Sequence, residues 1–541
     1  MTPDQETFDF IVTGAGSAGC AVAARLSESG RHRVLLLEAG QRDRNPWIHI
    51  PLGYTKLFCD PKHNWMFDSE PEPALNNRSM YQPRGKVLGG TSAINGMVYM
   101  RGNHADYDQW RQLGCEGWDW DSVLPFFRRA EDQSRGEDEF HGVGGPLHVA
   151  DQAQRWEIGA AMLSACLEAG IPANPDFNGA RQDGAGYYQT TTKNGQRWSS
   201  AVAYLNPARK RPNLTIRPDA HATRVLIADG RATGVEYRQA DGLHVAHARG
   251  EVIVSGGVFG SPQLLLLSGI GPGAHLAAMG VPVQHDLAPV GANLHDHFNS
   301  YITYRCTQPI TLNELHYSSW RKLRAGMRYM TQRKGEMAGN GLYVGAFVKS
   351  DPGLERPDLQ INCFAWSTLE RTRIGIRSHP FPGFSISPVH LRPEGRGSVR
   401  LKSPDPMAPP EIRFNFLRTP YDLQAMLAGM RWARRIAAQP ALAPYIAAET
   451  QPGPQIASDA ALEADIRARG VSNLHPVGSC RMGHGTDAVV DPRLRVHGLR
   501  GLRVADASVM PQIVAGNTNA PSIMIGEKAA AMVLADAATT G

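Results

Sequence analysis

Cysteine is scarce and scattered along the chain. Its seven positions, Cys20, Cys59, Cys115, Cys166, Cys306, Cys363 and Cys480, are odd in number and include no CxxC pair. That pattern argues against a disulfide framework and a zinc site and fits a reducing compartment. No hydrophobic run approaches the ~20 residues needed to span a bilayer; the most apolar stretch, Leu264 to Leu267, is short and bounded by glycines and a proline. Ahead of the first strand-like segment there is no basic n-region, long apolar region or small-residue cleavage site, so a cytoplasmic protein without an export signal is expected. Strong charge bias is missing too. A net charge of +5 over 541 residues, with basic runs as short as Arg209-Lys210-Arg211, gives a nucleic-acid groove no support.

What is present is the composition of an ordinary globular protein. At 541 residues the chain exceeds the size of a single core, and about two to four lobes are expected.

The first chemical signal lies near the N-terminus. The apolar, β-branched residues 8 to 13 lead into Gly14-Ala15-Gly16-Ser17-Ala18-Gly19, and Cys20 to Leu26 has helical character. Strand, glycine turn and helix in this order form a dinucleotide site: bare backbone N–H groups approach a pyrophosphate at the positive end of the helix. A second strand, Val34 to Leu37, ends at Glu38, which lies 38 − 19 = 19 residues beyond Gly19. An acid at that separation is placed to accept from an adenosine ribose. The motif alone does not separate FAD from NAD.

A second glycine-rich tract, Arg84-Gly85-Lys86-Val87-Leu88-Gly89-Gly90-Thr91-Ser92-Ala93-Ile94-Asn95-Gly96-Met97, strongly resembles the glucose–methanol–choline (GMC) oxidoreductases. Further matching tracts run from Gly257 to Gly271, Val290 to His297, His475 to Gly483, Val504 to Ser508 and Gly516 to Pro521. The resemblance implies an α/β fold: a Rossmann-like FAD-binding domain with an inserted α+β substrate-binding domain built on an antiparallel sheet. It also implies cofactor contacts at Gly90, Thr91, Asn95, Gly96, Met97 and Val98, an adenine-side position at Val225, and a contact to the flavin chain at Asp506. Some members attach FAD through a His of the second tract. Ile94 stands at the matching position here, so a non-covalent FAD is expected.

Oxidation of an alcohol requires removal of a hydroxyl proton as well as a hydride, and a flavin takes only the hydride. Histidine suits the proton, and Pro476 holds His475 in an extended loop where its ring can enter a cavity. By resemblance His475 is the base, and Asn519, 519 − 475 = 44 residues later, is the amide that orients the alcohol. Asn517-Thr518-Asn519 also reads as the cap of a last helix with Pro521 in its first turn.

The sequence divides into an FAD-binding domain from 1–155, 198–300 and 466–541, and a substrate-binding domain from 156–197 and 301–465. Val399 to Ser403 reads as an antiparallel strand. Choline-specific relatives hold the trimethylammonium group with a carboxylate; Tyr343 stands at that position and Asn362 at a nearby His position. The expected substrate is therefore an uncharged aliphatic or aromatic primary alcohol, oxidised to the aldehyde, with a quinone or oxygen as electron acceptor. Two alternatives within the family are a lyase that cleaves cyanohydrins and a light-driven fatty-acid decarboxylase. The latter lacks its thiol here, because Leu391 precedes Arg392-Pro393. Residues 320–334 space Trp320, Leu323, Met327 and Met330 on one helical face among basic residues. That pattern reads either as a solvated helix packed on its lobe or as a peripheral membrane contact at the inner face. No motif speaks to oligomeric state.

Overall fold

The computed structural model describes residues 6–540. Two sheets organise it. The first has seven strands and takes its centre from the N-terminal strand Glu6–Thr13, flanked in parallel by Val34–Leu37 on one side and Gly242–Val254 on the other. Val34–Leu37 pairs onward, again in parallel, with Leu214–Arg217. The long strand Gly242–Val254 pairs in parallel with Leu502–Val504 near its end and antiparallel with Arg231–Gln239 near its start.

Val34–Leu37 and the second half of Glu6–Thr13 are buried throughout, as expected for strands covered on both faces. The helix Ser17–Leu26 packs beside the C-terminal helix Asn519–Thr540. Arg25 of the first helix donates Nε to Glu527 of the last at 2.8 Å. The Tyr204 hydroxyl donates to the same carboxylate at 2.8 Å.

The second sheet has eight strands and is antiparallel, running Ile446–Gln451, Ile302–Cys306, Gly383–His390, Leu359–Phe364, Leu342–Val348 and Gly184–Tyr187. Phe298–Asn299 and Val471–Ser472 join it, so the chain changes sheets slightly before 301 and slightly after 466. The helices Glu157–Glu168 and Pro420–Ala437 pack on this sheet. Pro420–Ala437 starts at Thr419, whose hydroxyl accepts from the Asp422 N–H, and has proline in its first position, a favourable helix start. The strand expected from Val399 forms as Gly397–Arg400, in a separate three-stranded antiparallel sheet with Ala292–Leu294 and Glu411–Arg413.

Candidate active site

A cavity of about 370 Å³ lies between the two sheets. At one end, Gly14 turns the chain with φ +96°, a conformation that favours glycine. A Cβ on Gly14 would sit 2.3 Å from the Ser255 carbonyl oxygen, and one on Gly19 would sit 1.9 Å from that of Gly14. Gly19 thus allows helix and turn to touch, and it lies outside the cavity wall rather than on it. Gly16 is different: a Cβ there would meet nothing within 4 Å, and this bare backbone borders the cavity. Ser17 and Ala18 line the wall beside it.

Glu38 accepts from the N–H groups of Ala15 and Gly40, each at 2.8 Å. Burial raises its carboxyl to about 7. The second glycine tract closes over the first: a Cβ on Gly90 would lie 2.6 Å from the Gly16 Cα. Thr91, Asn95, Gly96, Met97 and Val98 continue the wall, with Ile94 among them. Asn95 Oδ1 accepts from Met97 N–H at 3.0 Å and from the buried Arg197 guanidinium at 2.8 Å. Asp506 lines the cavity, accepting from Gly257 N–H at 2.9 Å and from Ser508 N–H at 2.8 Å. Val225 does not: its side chain is buried and its N–H donates to Ser268 Oγ at 2.8 Å. The chain borders the cavity three to five residues earlier, at Ala220, His221 and Ala222.

At the other end stands His475. Leu474 before it has φ +66°, a strained backbone for a branched residue. It is held because His475 N–H donates to Asp296 Oδ1 at 2.8 Å, the Leu474 N–H to Ser472 Oγ at 3.0 Å, and Arg84 to the Leu474 carbonyl at 2.8 Å. The imidazole Nε2 accepts from the Asn517 amide at 2.9 Å. Its Nδ1 lies 3.1 Å from Nδ1 of His297 and 3.2 Å from the Asn473 amide nitrogen. Burial, reinforced by the Arg84 charge, holds His475 down at about 3, so the ring is neutral at ordinary pH.

The pairing therefore differs from the expected one. The carboxamide against His475 belongs to Asn517, whereas Asn519 Oδ1 accepts from the Ser17 hydroxyl at 2.7 Å. Asn519 opens the last helix and ties it to the glycine turn. Both asparagines line the cavity.

On the second sheet, Leu342 and Asn362 line the cavity and Tyr343 does not. Tyr343 is buried against Trp156, ring centroids 6.1 Å apart. Successive residues of a strand face opposite sides, so the inward position belongs to Leu342. Asn362 is engaged as well, accepting from the Tyr188 hydroxyl at 2.7 Å. Tyr301, Phe364, Asn340 and Arg371 complete this end.

The GMC oxidoreductase family models match residues 8–299 and 393–526. The chain belongs to the GMC oxidoreductase family. It is 44% identical over 531 residues to an alcohol dehydrogenase (acceptor) of Pseudomonas putida, covering 97% of this chain and 96% of that one. It is 42% identical over 532 residues to an oxygen-dependent choline dehydrogenase of Rhizobium rhizogenes, covering 97% and 95%. Among solved structures, an Aspergillus oryzae formate oxidase variant studied for FAD modification superposes with a TM-score of 0.91 at 28% identity, covering 99% of each chain. This GMC protein is accordingly an FAD-dependent oxidoreductase acting on CH–OH donors. The cavity fits that cofactor. The open backbone of Gly16 and Gly96, where a Cβ would meet nothing within 4 Å, supplies two bare surfaces along one wall, and Glu38 marks one end.

Proposed function

We propose that this GMC oxidoreductase converts an uncharged primary alcohol, aliphatic or aromatic, to the aldehyde, with His475 as base and Asn517 as the orienting amide. The observation that carries this reading is the 2.9 Å contact between His475 Nε2 and the Asn517 amide at the cavity wall. FAD, when bound, supplies the hydride acceptor.

A neutral imidazole has one nitrogen free to take a proton. With Asn517 donating to Nε2, that lone pair faces the cavity, and the ring proton resides on Nδ1, toward His297. An alcohol entering there takes the place of the direct Asn517 contact: its hydroxyl proton goes to Nε2, and the Asn517 amide, released from the ring, donates to its oxygen. The start of the helix Asn519–Thr540 borders the same cavity, and its positive end stabilises negative charge gathering nearby. Asn519, engaged with Ser17, serves the cofactor side instead.

The wall also bears on substrate charge. Among the described residues its carboxylates are Glu38 and Asp506, both engaged by backbone N–H groups, while Arg84 and Arg371 add positive charge. A quaternary ammonium finds no counter-charge and two like charges. The acceptor is a quinone or oxygen.

Anaerobic mixing with a panel of alcohols and aldehydes, following flavin absorbance before oxygen is admitted, tests this. Uncharged primary alcohols should bleach the flavin and choline should not. Bleaching by choline in preference to them, or by no alcohol at all, refutes the proposal.

A further inference from the structure

The helix Ser319–Gln332 is turned inside out. It buries Ala325 and Tyr329 and nothing else fully. Its large apolar residues, Trp320, Leu323, Met327 and Met330, are 67%, 55%, 50% and 69% exposed. At 100° per residue these four fall within one quarter of the helix circumference, opposite Ala325 and Tyr329. A helix that packs on its own lobe points such a stripe inward. This one is fixed from behind, by the Tyr329 hydroxyl on the Gly195 carbonyl at 3.1 Å and by the Ser318 cap on Arg321 N–H, and it presents its stripe to the outside.

The charge beside the stripe has one sign. Arg324, Arg328 and Arg321 line one flank of it, Lys322 lies farther round and Arg333 and Lys334 follow the helix end; among the described residues none of the six forms an ion pair with an acid. An exposed apolar stripe with tryptophan, edged by unpaired cations, matches the chemistry of an anionic bilayer surface: acyl chains below, lipid phosphates around. No described helix is long and apolar enough to cross a membrane, so the contact is one of lying on the surface.

The position of the stripe adds meaning. The chain leaving this helix enters the cavity wall at Asn340 and Leu342, and Asn340 is held by the Tyr54 hydroxyl at 2.9 Å. A second exposed apolar group, Ile374 at 95% exposure, caps the hairpin Thr368–Thr372/Gly375–Ser378 whose Arg371 lines the same cavity.

We propose that the outer face of Ser319–Gln332 docks this protein on anionic lipid, bringing the substrate end of the cavity to the membrane surface. An apolar alcohol or a lipid-borne quinone would be met there; that consequence rests on the proposed function, while the docking itself does not.

The test is flotation of the FAD-loaded protein with phosphatidylcholine vesicles, with and without phosphatidylglycerol, at low and high salt. Binding should require the anionic lipid and fade with salt. Trp320→Ser with Met330→Ser should abolish it, and Arg324→Glu with Arg328→Glu should weaken it at least roughly tenfold. All four substitutions should leave flavin content and the oxidation of a water-soluble alcohol with a soluble dye unchanged, which separates loss of docking from loss of catalysis. No binding to anionic vesicles at low salt, equal binding to neutral ones, or unaltered binding by the variants overturns the proposal. So does a dimer that Trp320→Ser with Met330→Ser turns into monomer without any vesicle binding by the parent protein, which would assign the stripe to a second copy of the chain.

Discussion

His475 and His297 face each other through their Nδ1 atoms at 3.1 Å, the two rings almost perpendicular at 89°. Only one of the two nitrogens can carry the shared proton. Burial and the neighbouring His475 push His297 far below the usual histidine range, so it is neutral and can accept. By accepting there, His297 favours the proton on His475 Nδ1 and leaves Nε2 as the acceptor, held by the Asn517 amide until substrate displaces it.

From this relationship, His297→Phe should retain FAD yet slow flavin reduction by roughly 10–100-fold, part of what a general base contributes. His297→Asn, which offers an amide oxygen to the same hydrogen, should recover much of the rate. Stopped-flow reduction by one alcohol compares the variants. Equal rates in His297→Phe and the parent protein would leave His297 a packing residue.

The two asparagines should separate cleanly. His475→Ala should slow reduction by about 10²–10⁴-fold with flavin still bound. Asn517→Ala should slow it by a smaller factor, roughly 10–10³-fold, as for loss of one preorganised donor. Asn519→Ala, which removes the Ser17 contact, should act on flavin retention more than on the chemical rate. Flavin content after gel filtration and single-turnover rates read the two effects independently.

How much of this was legible in the sequence follows from how local each signal is. The strand, glycine turn and acid at residues 8 to 38 were readable because a dinucleotide site is written in consecutive residues. Asn517 and Asn519 sit two residues apart at a helix entry, where spacing does not tell which side chain turns to the histidine. Tyr343 and Leu342 differ by one residue on a strand, and a one-residue shift exchanges its faces. The periodicity of residues 320–334 announced an amphipathic helix, but which side the protein covers depends on contacts outside that window, to Pro309 before the helix and to the distant Gly195.

The pH profile should reflect a base that stays neutral in mild acid. His475 is held at about 3 by burial and then by Arg84, so its catalytic form persists as pH falls through 6.5, where an ordinary histidine would protonate. The acid limb of kcat/KM should lie below that value. Removing a neighbouring positive charge raises a histidine pKa. Arg84→Met should therefore shift the acid limb upward, and a shift downward would contradict the assignment.

Glycine substitutions should distinguish ligand space from packing. Gly16→Val should give a folded protein that lacks FAD, because the added carbons enter the cavity and meet no protein atom within 4 Å at Cβ. Gly19→Val should fail to fold, since its Cβ alone would lie 1.9 Å from a backbone oxygen. Circular dichroism and flavin absorbance check both.

With Ile94 at the wall in place of a nucleophile, the flavin should leave completely on denaturation. Acid precipitation should put all of the yellow colour in the supernatant and none in the pellet.

The contact of Ser17 with Asn519 and that of Arg25 with Glu527 each join positions 502 residues apart. A ribosome therefore releases nearly the whole polypeptide before the nucleotide fold can be completed. Until the last helix emerges, the nascent N-terminal strands and their first helix stand with one flank bare, in need of shielding by chaperones. Premature stop codons that remove the last helix from Asn519 onward would consequently yield a product destined for proteolysis rather than a slower enzyme.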